Sequence, residues 1–271
     1  MIASPESRTC SSTGVRLAPA TGELAFRVAK DRYTRRSGPL ASLPNGHVGA
    51  LPRTVKEVRG RFDTIGRTVY FGDSPECCFA ETLQAFRKNR QALAADAQAA
   101  GQDVDEYVRD VTQDALDNGL DTPWAVSVDW QMERSLLPIR MPLEGWWVLI
   151  DHPDTLNTLN DALAADLRSV GVTLLTSSIA TGENRAATTL IAQHVRDLVL
   201  DDGSQPLGIS FPSKTGYGRC LAWWNRREDD GLLPADEGPS SDGRSDNVDT
   251  PGFRRVCSDW SLSVLPGRPS W

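Results

Sequence analysis

Histidine and paired cysteine are scarce in this chain. Three histidines occur, His47, His152 and His194. The five cysteines, Cys10, Cys77, Cys78, Cys220 and Cys257, include no C-x-x-C pair. A structural zinc site needs a full tetrahedral set of well-spaced ligands, so no metal centre is expected. Adjacent Cys77 and Cys78 do not easily form an ordinary disulfide with each other, and the odd count fits reduced thiols in a cytosol. No apolar run approaches the ~18 residues of a membrane-spanning helix. The opening MIASPESRTCSSTG lacks the apolar core of a secretory signal. A soluble, cytoplasmic protein is the expectation. Positive charge is also in deficit: 29 Lys and Arg stand against 36 Asp and Glu, for a net charge of −7 and a pI near 5.1. Such a chain repels nucleic acid and anionic membranes, so neither is expected as a partner. A local cluster of arginines can still hold a small anion.

The remaining composition is that of a globular protein. With 271 residues, 39% hydrophobic and 24% charged, the chain can bury a substantial core. Residues 1–22, rich in Ser, Thr, Pro and Ala, read as a flexible N-terminal arm. Residues 228–271 read as a polar, largely flexible tail, with Trp260 and Trp271 as points where it docks back. Between them, residues 23–227 read as one domain.

Strands are expected at Leu24–Ala29, Val58–Asp63, Thr68–Phe71, Ala125–Trp130, Leu136–Met141, Gly145–Ile150, Leu207–Phe211 and Arg219–Trp224. A helix should start after Ser74 as N-cap with Pro75 in its first turn. It would place Cys78, Glu81, Thr82 and Ala85 on one side. Further helices are expected from an Asp154 cap to about Val170 and over Asn184–Leu200. Residues 90–122 read as a helical insertion or lid, with one helix near Val104–Asp117. The order lacks regular strand–helix–strand alternation, which favours α+β with a mixed sheet and flanking helices.

Two segments carry the chemistry: RGRFDTIGRTVYFGDSPECCFAETL at 59–83 and LGISFPSKTGYGRCLAWW at 207–224. Together they resemble the RES domain, a family named for its Arg, Glu and Ser. Arg61, Tyr70 and Glu81 fall in the register of that family's pattern, GISFPSK matches its late serine turn at Ser213, and LAFRVA with Arg27 matches its early element. GWWVLIDHPDTLNTL resembles its middle portion. The resemblance spans about residues 24–226. Phe62 and Asp63 depart from the family's Trp and Asn, Arg59 from a Gly, and Lys214 from an Arg.

The resemblance implies a fold similar to ADP-ribosyltransferases, with NAD⁺ as substrate rather than cofactor. It implies cleavage of the nicotinamide–ribose bond by hydrolysis or phosphorolysis. It also implies a toxin restrained by a small helix-turn-helix antitoxin protein. Elementary chemistry runs parallel. Cleavage of that bond passes through an oxocarbenium-like state, which a carboxylate stabilises; Glu81 is the candidate. Planar guanidinium groups match a pyrophosphate, which makes Arg61 and Arg27 candidates. Tyr70 can stack on nicotinamide or bond a ribose, and Ser213 can bond the nicotinamide end or a phosphate.

Each residue also has a plain structural reading. Glu81 can be a solvated helix charge, Arg61 a surface partner of Asp63, Arg27 a snorkelling strand residue, Tyr70 core and Ser213 a turn former after Pro212. The Trp146–Trp147 and Trp223–Trp224 pairs fit core packing better than a binding box, and the histidines fit structural or exposed positions. SSIATGEN, residues 177–184, reads as a loop near the cleft. Transfer of ADP-ribose to an acceptor and a non-catalytic binding module are the competing functions.

Overall fold

In the computed structural model, the described residues are 7–32, 34, 38–46, 60–232, 238–243 and 245–266. Twelve strands occur among them: β1 (Arg8–Thr9), β2 (Arg16–Pro19), β3 (Leu24–Lys30), β4 (Thr68–Gly72), β5 (Ala125–Val126), β6 (Arg134–Arg140), β7 (Trp146–Leu149), β8 (Gly208–Pro212), β9 (Arg219–Trp224), β10 (Ser240–Ser241), β11 (Asp246–Asn247) and β12 (Ser263–Val264). The helices are α1 (Pro75–Leu83), α2 (Arg90–Ala100), α3 (Val104–Asp117), α4 (Val128–Met132), α5 (Pro153–Ala162), α6 (Ala164–Ser169), α7 (Ser177–Ala180), α8 (Arg185–Arg196), α9 (Arg226–Asp229) and α10 (Pro251–Asp259). One mixed sheet runs β1-β2-β7-β8-β9-β4-β3-β6-β10, with β11 also on β6. Only the β7–β8 pairing in it is parallel. The class is α+β, as expected. Among the described residues no helix is long and apolar enough to cross a membrane.

Strand alternation sorts the core onto two faces. Tyr70, Ala222, Ile209, Val148 and Leu17 are paired in register across five strands. All five join one cluster with Leu159, Ile191 and Val195 from α5 and α8. Their neighbours Val69, Phe71, Leu221 and Trp147 form a second cluster with Leu137 and Ile139. Each Trp pair divides as strand geometry requires: Trp147 and Trp224 are buried, Trp146 and Trp223 only partly.

α1 follows β4 directly. Ser74 accepts a hydrogen bond from the Cys77 amide and Pro75 opens the helix, as its sequence predicts. α3 falls on the expected Val104–Asp117 and joins α2 as a helical pair. All five cysteines are buried and free.

Several expectations need correction. Residues 7–22 are no loose arm: β1 and β2 extend the sheet, and Cys10, Val15 and Leu17 enter the core. Asp201 satisfies their polar groups, pairing with Arg8 at 2.7 Å and accepting from the Ser11 amide. The tail docks back at Trp260 as expected, against Tyr217 at 5.9 Å between ring centres, but its described residues 238–243 and 245–266 are built in more fully than a flexible segment would be. β10 and β11 pair with β6, β12 pairs with β5, and α10 packs on α1. Phe253 lies 5.4 Å from Phe79, ring to ring.

Gly60–Asp63 forms a turn rather than a strand, because the Asp63 carboxylate accepts from the Gly60 amide at 2.8 Å. Residues 58 and 59, His47 and Trp271 lie outside the described residues. Ser127 caps α4 and so ends the strand expected over Ala125–Trp130 after two residues. His152, not Asp154, caps α5, and the expected long helix breaks at Leu163 into α5 and α6. Residues 177–180 of the expected loop form the short helix α7.

Candidate active site

β3 and β4 pair at a single position, Phe26 opposite Gly72, and then part. A cavity of about 360 Å³ is lined from both strands: Arg27 and Val28 from one, Thr68, Tyr70, Phe71 and Gly72 from the other. This volume sits at the lower end of the ~300–1,000 Å³ typical of small-molecule pockets. Arg61 from the preceding turn, Glu81 from α1 and Arg185 from α8 complete its charged wall. None of the lining residues comes from 90–122.

Glu81 is the best-held carboxylate in the wall. Its Oε2 accepts from Arg61 Nη2 at 3.0 Å and Gln84 Nε2 at 3.3 Å. Its Oε1 accepts from Ser213 Oγ at 2.7 Å and the Lys214 amide at 3.2 Å. Four donors fix the group, one from the neighbouring Gln84 and three from the distant Arg61 and Ser213–Lys214 segments, yet its side chain stays 22% exposed. Ser213 is not itself a lining residue; it is buried and bound to Glu81.

Arg61 is 8% exposed and does not pair with Asp63 on the surface. Its second terminal nitrogen donates to the Thr181 carbonyl at 3.1 Å, and its guanidinium lies 4.8 Å from the Phe211 ring centre. Both ends of its fork therefore already meet protein acceptors. Arg27 is similar: Nη1 and Nη2 donate to the carbonyls of Pro39 and Ala41 at 2.6 and 2.8 Å. Burial lowers the Arg27 pKa to about 10.

Tyr70 lines the cavity and also ties down the turn before it. Its hydroxyl donates to Asp63 Oδ1 at 2.8 Å and accepts from the Phe62 amide at 2.8 Å. Burial, then the Asp63 charge, push its phenol well above the usual value. A Cβ at Gly60 would collide with the Tyr70 hydroxyl, so glycine is required here by this packing. Asp63 is a positioning residue with no prior signal beyond its departure from the family pattern. Its neighbour Phe62 is fully buried against Phe211 at 4.6 Å between ring centres.

A second group of charges stands at the rim. Glu183 pairs with Arg185 at 2.6 Å and also with Lys214 Nζ. Burial first, and then Arg61, lower the pKa of both cations, Lys214 to about 8. Glu183 and Arg185 carried no site signal in the sequence: the first lay in the loop expected at 177–184, the second in the helix expected over Asn184–Leu200. His152 caps a helix, and burial lowers the pKa of His194 on α8.

The structure thus brings four of the five sequence candidates, Arg27, Arg61, Tyr70 and Glu81, to one cavity, and joins Ser213 to Glu81. Comparison with protein-family models, curated proteins and solved structures found no match.

Proposed function

We propose that this cavity takes the nicotinamide–ribose end of NAD⁺ and that the chain cleaves the bond between them. One observation carries the reading: an ionisable carboxylate, Glu81, is held at the wall by an arginine, a serine and a backbone amide. This is the same Arg, Glu and Ser set that carries the resemblance to the RES domain.

The proposed chemistry follows from charge. When the C1′–nitrogen bond breaks, nicotinamide leaves with the bonding electrons as a neutral molecule, and positive charge develops on the ribose. Glu81 faces that charge. Its donors hold it in place before reaction, so little reorganisation is needed in the transition state. Arg61 and Ser213 are its positioning residues. Tyr70 and Phe211 offer aromatic walls for the nicotinamide ring. Water then adds its oxygen to C1′ and loses a proton, giving ADP-ribose; phosphate adding in its place gives the 1″-phosphate. The same reading includes an ADP-ribosyltransferase-like fold, toxicity to a host through loss of NAD⁺, and restraint by a helix-turn-helix partner.

The test is incubation of the purified protein with NAD⁺, with and without phosphate, followed by product analysis. Release of nicotinamide with matching ADP-ribose or its phosphate is expected. Nicotinamide matched by a labelled acceptor would replace cleavage with transfer. Intact NAD⁺ under both conditions would overturn the reading.

A further inference from the structure

The sheet buries its two faces in different ways. The face with Tyr70 and Ile209 packs against side chains of α5 and α8. The core on the other face draws its members from strands and the segments beside them, with no helix among the described residues. Three hydrophobic residues are only partly buried against that second core: Leu40, Leu207 and Trp223. All three line a cavity of about 450 Å³, larger than the Glu81 cavity and sharing no lining residue with it. A largely apolar space of this size suits a small molecule. Trp223 gives it an aromatic wall, and the face of such a ring favours a flat ligand.

One charged group in the wall is incompletely used. Arg226, at the start of α9, lines the cavity and is half-buried. Its Nη2 donates to the carbonyls of Arg196 and Pro206 at 2.5 and 3.1 Å. Its Nε and Nη1 have no acceptor among the described residues. Burial, and then Arg196, lower its pKa to about 10, so it stays cationic at neutral pH. The acid in the same wall, Glu228, is committed elsewhere: it pairs with Arg67 at 3.0 Å and accepts from Asn225 Nδ2 at 2.6 Å. Arg227 adds a second positive charge to the lining. The cavity wall is thus cationic in a chain whose net charge is −7. A guanidinium with unused donors beside apolar walls matches a carboxylate carried on an apolar body.

We infer that this cavity is a second ligand site, built for a flat aromatic molecule bearing one carboxylate. The ring lies against Trp223, with Leu40 and Leu207 around it, and the carboxylate accepts from the unused N–H groups of Arg226. The site goes beyond the chemistry proposed for Glu81 and stands whether or not the chain cleaves NAD⁺.

The test titrates 1-naphthoate and 1-naphthamide, which share a ring system and differ in charge, calorimetrically into the full chain at low salt. The carboxylate should bind about tenfold tighter than the amide, or more. Arg226→Met should remove that preference and leave the affinity for the amide unaltered. Trp223→Leu should weaken both probes by about fivefold. Gln205 is exposed and lines the same cavity, so Gln205→Glu reports even if Arg226→Met fails to fold. It should weaken the binding of naphthoate alone, by about threefold. Equal affinity for the two probes, or no binding of either, overturns the inference. Naphthoate binding that is unaltered in Trp223→Leu also overturns it, because the probe then sits elsewhere.

Discussion

Two glutamates stand near the same cations and have opposite designs. Glu81 has four donors from within the fold, while Glu183 is mostly in water between two side chains. The first arrangement costs desolvation and repays it only with every donor in place; the second costs little and contributes little. A carboxylate that must meet a developing charge needs the first.

The sharpest way to break the comparison is through turnover. Glu81→Gln keeps the shape and removes the negative charge, and should lower the rate of NAD⁺ cleavage by about two to three decades, near 3–4 kcal/mol of barrier. Steady-state assays of nicotinamide release measure this, and a rate within threefold of the parent would remove Glu81 from the chemistry.

Stability tests the two glutamates without any substrate. Glu81→Ala leaves Arg61 buried without its carboxylate and should cost about 3 kcal/mol, the low end for a broken buried pair because Glu81 retains some exposure. Glu183→Ala should stay within about 0.5 kcal/mol of the parent. Urea unfolding gives both values, and similar losses would erase the distinction.

Ser213→Ala tests a single donor to Glu81. Loss of one hydrogen bond to a charged group is worth about 1.5–3 kcal/mol, so cleavage should slow by at least about tenfold. Ser213→Thr, which keeps the hydroxyl, should recover part of the loss, a rescue that a mere turn former would not show.

The smallest effect is a pH dependence confined to the rim. In the fold the Lys214 pKa is lowered to about 8 from an ordinary 10.5. Between these values the unfolded chain binds more protons than the folded one, so this group adds stability as pH rises through that window. Lys214→Met lacks the titration. The stability of the parent relative to Lys214→Met should therefore increase from pH 8 to pH 10.5; a decrease would contradict the sign.

The same contrast explains what was legible in advance. α1 and its Glu81 could be read because Ser74, Pro75 and the β-branched strand before them are local signals. The donors to Glu81 could not, since Ser213 lies 132 residues away and only the family pattern linked them. Asp63 and Glu183 look like ordinary polar loop residues until Tyr70 and Lys214 arrive beside them. The ordering of residues 7–22 and 245–266 was hidden for a related reason. Ser- and Asp-rich stretches lack strand or helix propensity, and Asp201, β6 and α1, all distant in sequence, supply the partners that order them.

The docking of α10 on α1 has a bearing on synthesis. All five candidate residues have been made once residue 213 is added, yet Phe79 and Leu83 on the Glu81 helix still lack Phe253 and Val256. At about 5–20 residues per second, a ribosome takes several more seconds to make α10. During that interval the helix bearing the acid has one flank bare, and a chain released early would expose the same apolar surface. Complete packing of the Glu81 helix therefore waits for the synthesis of α10.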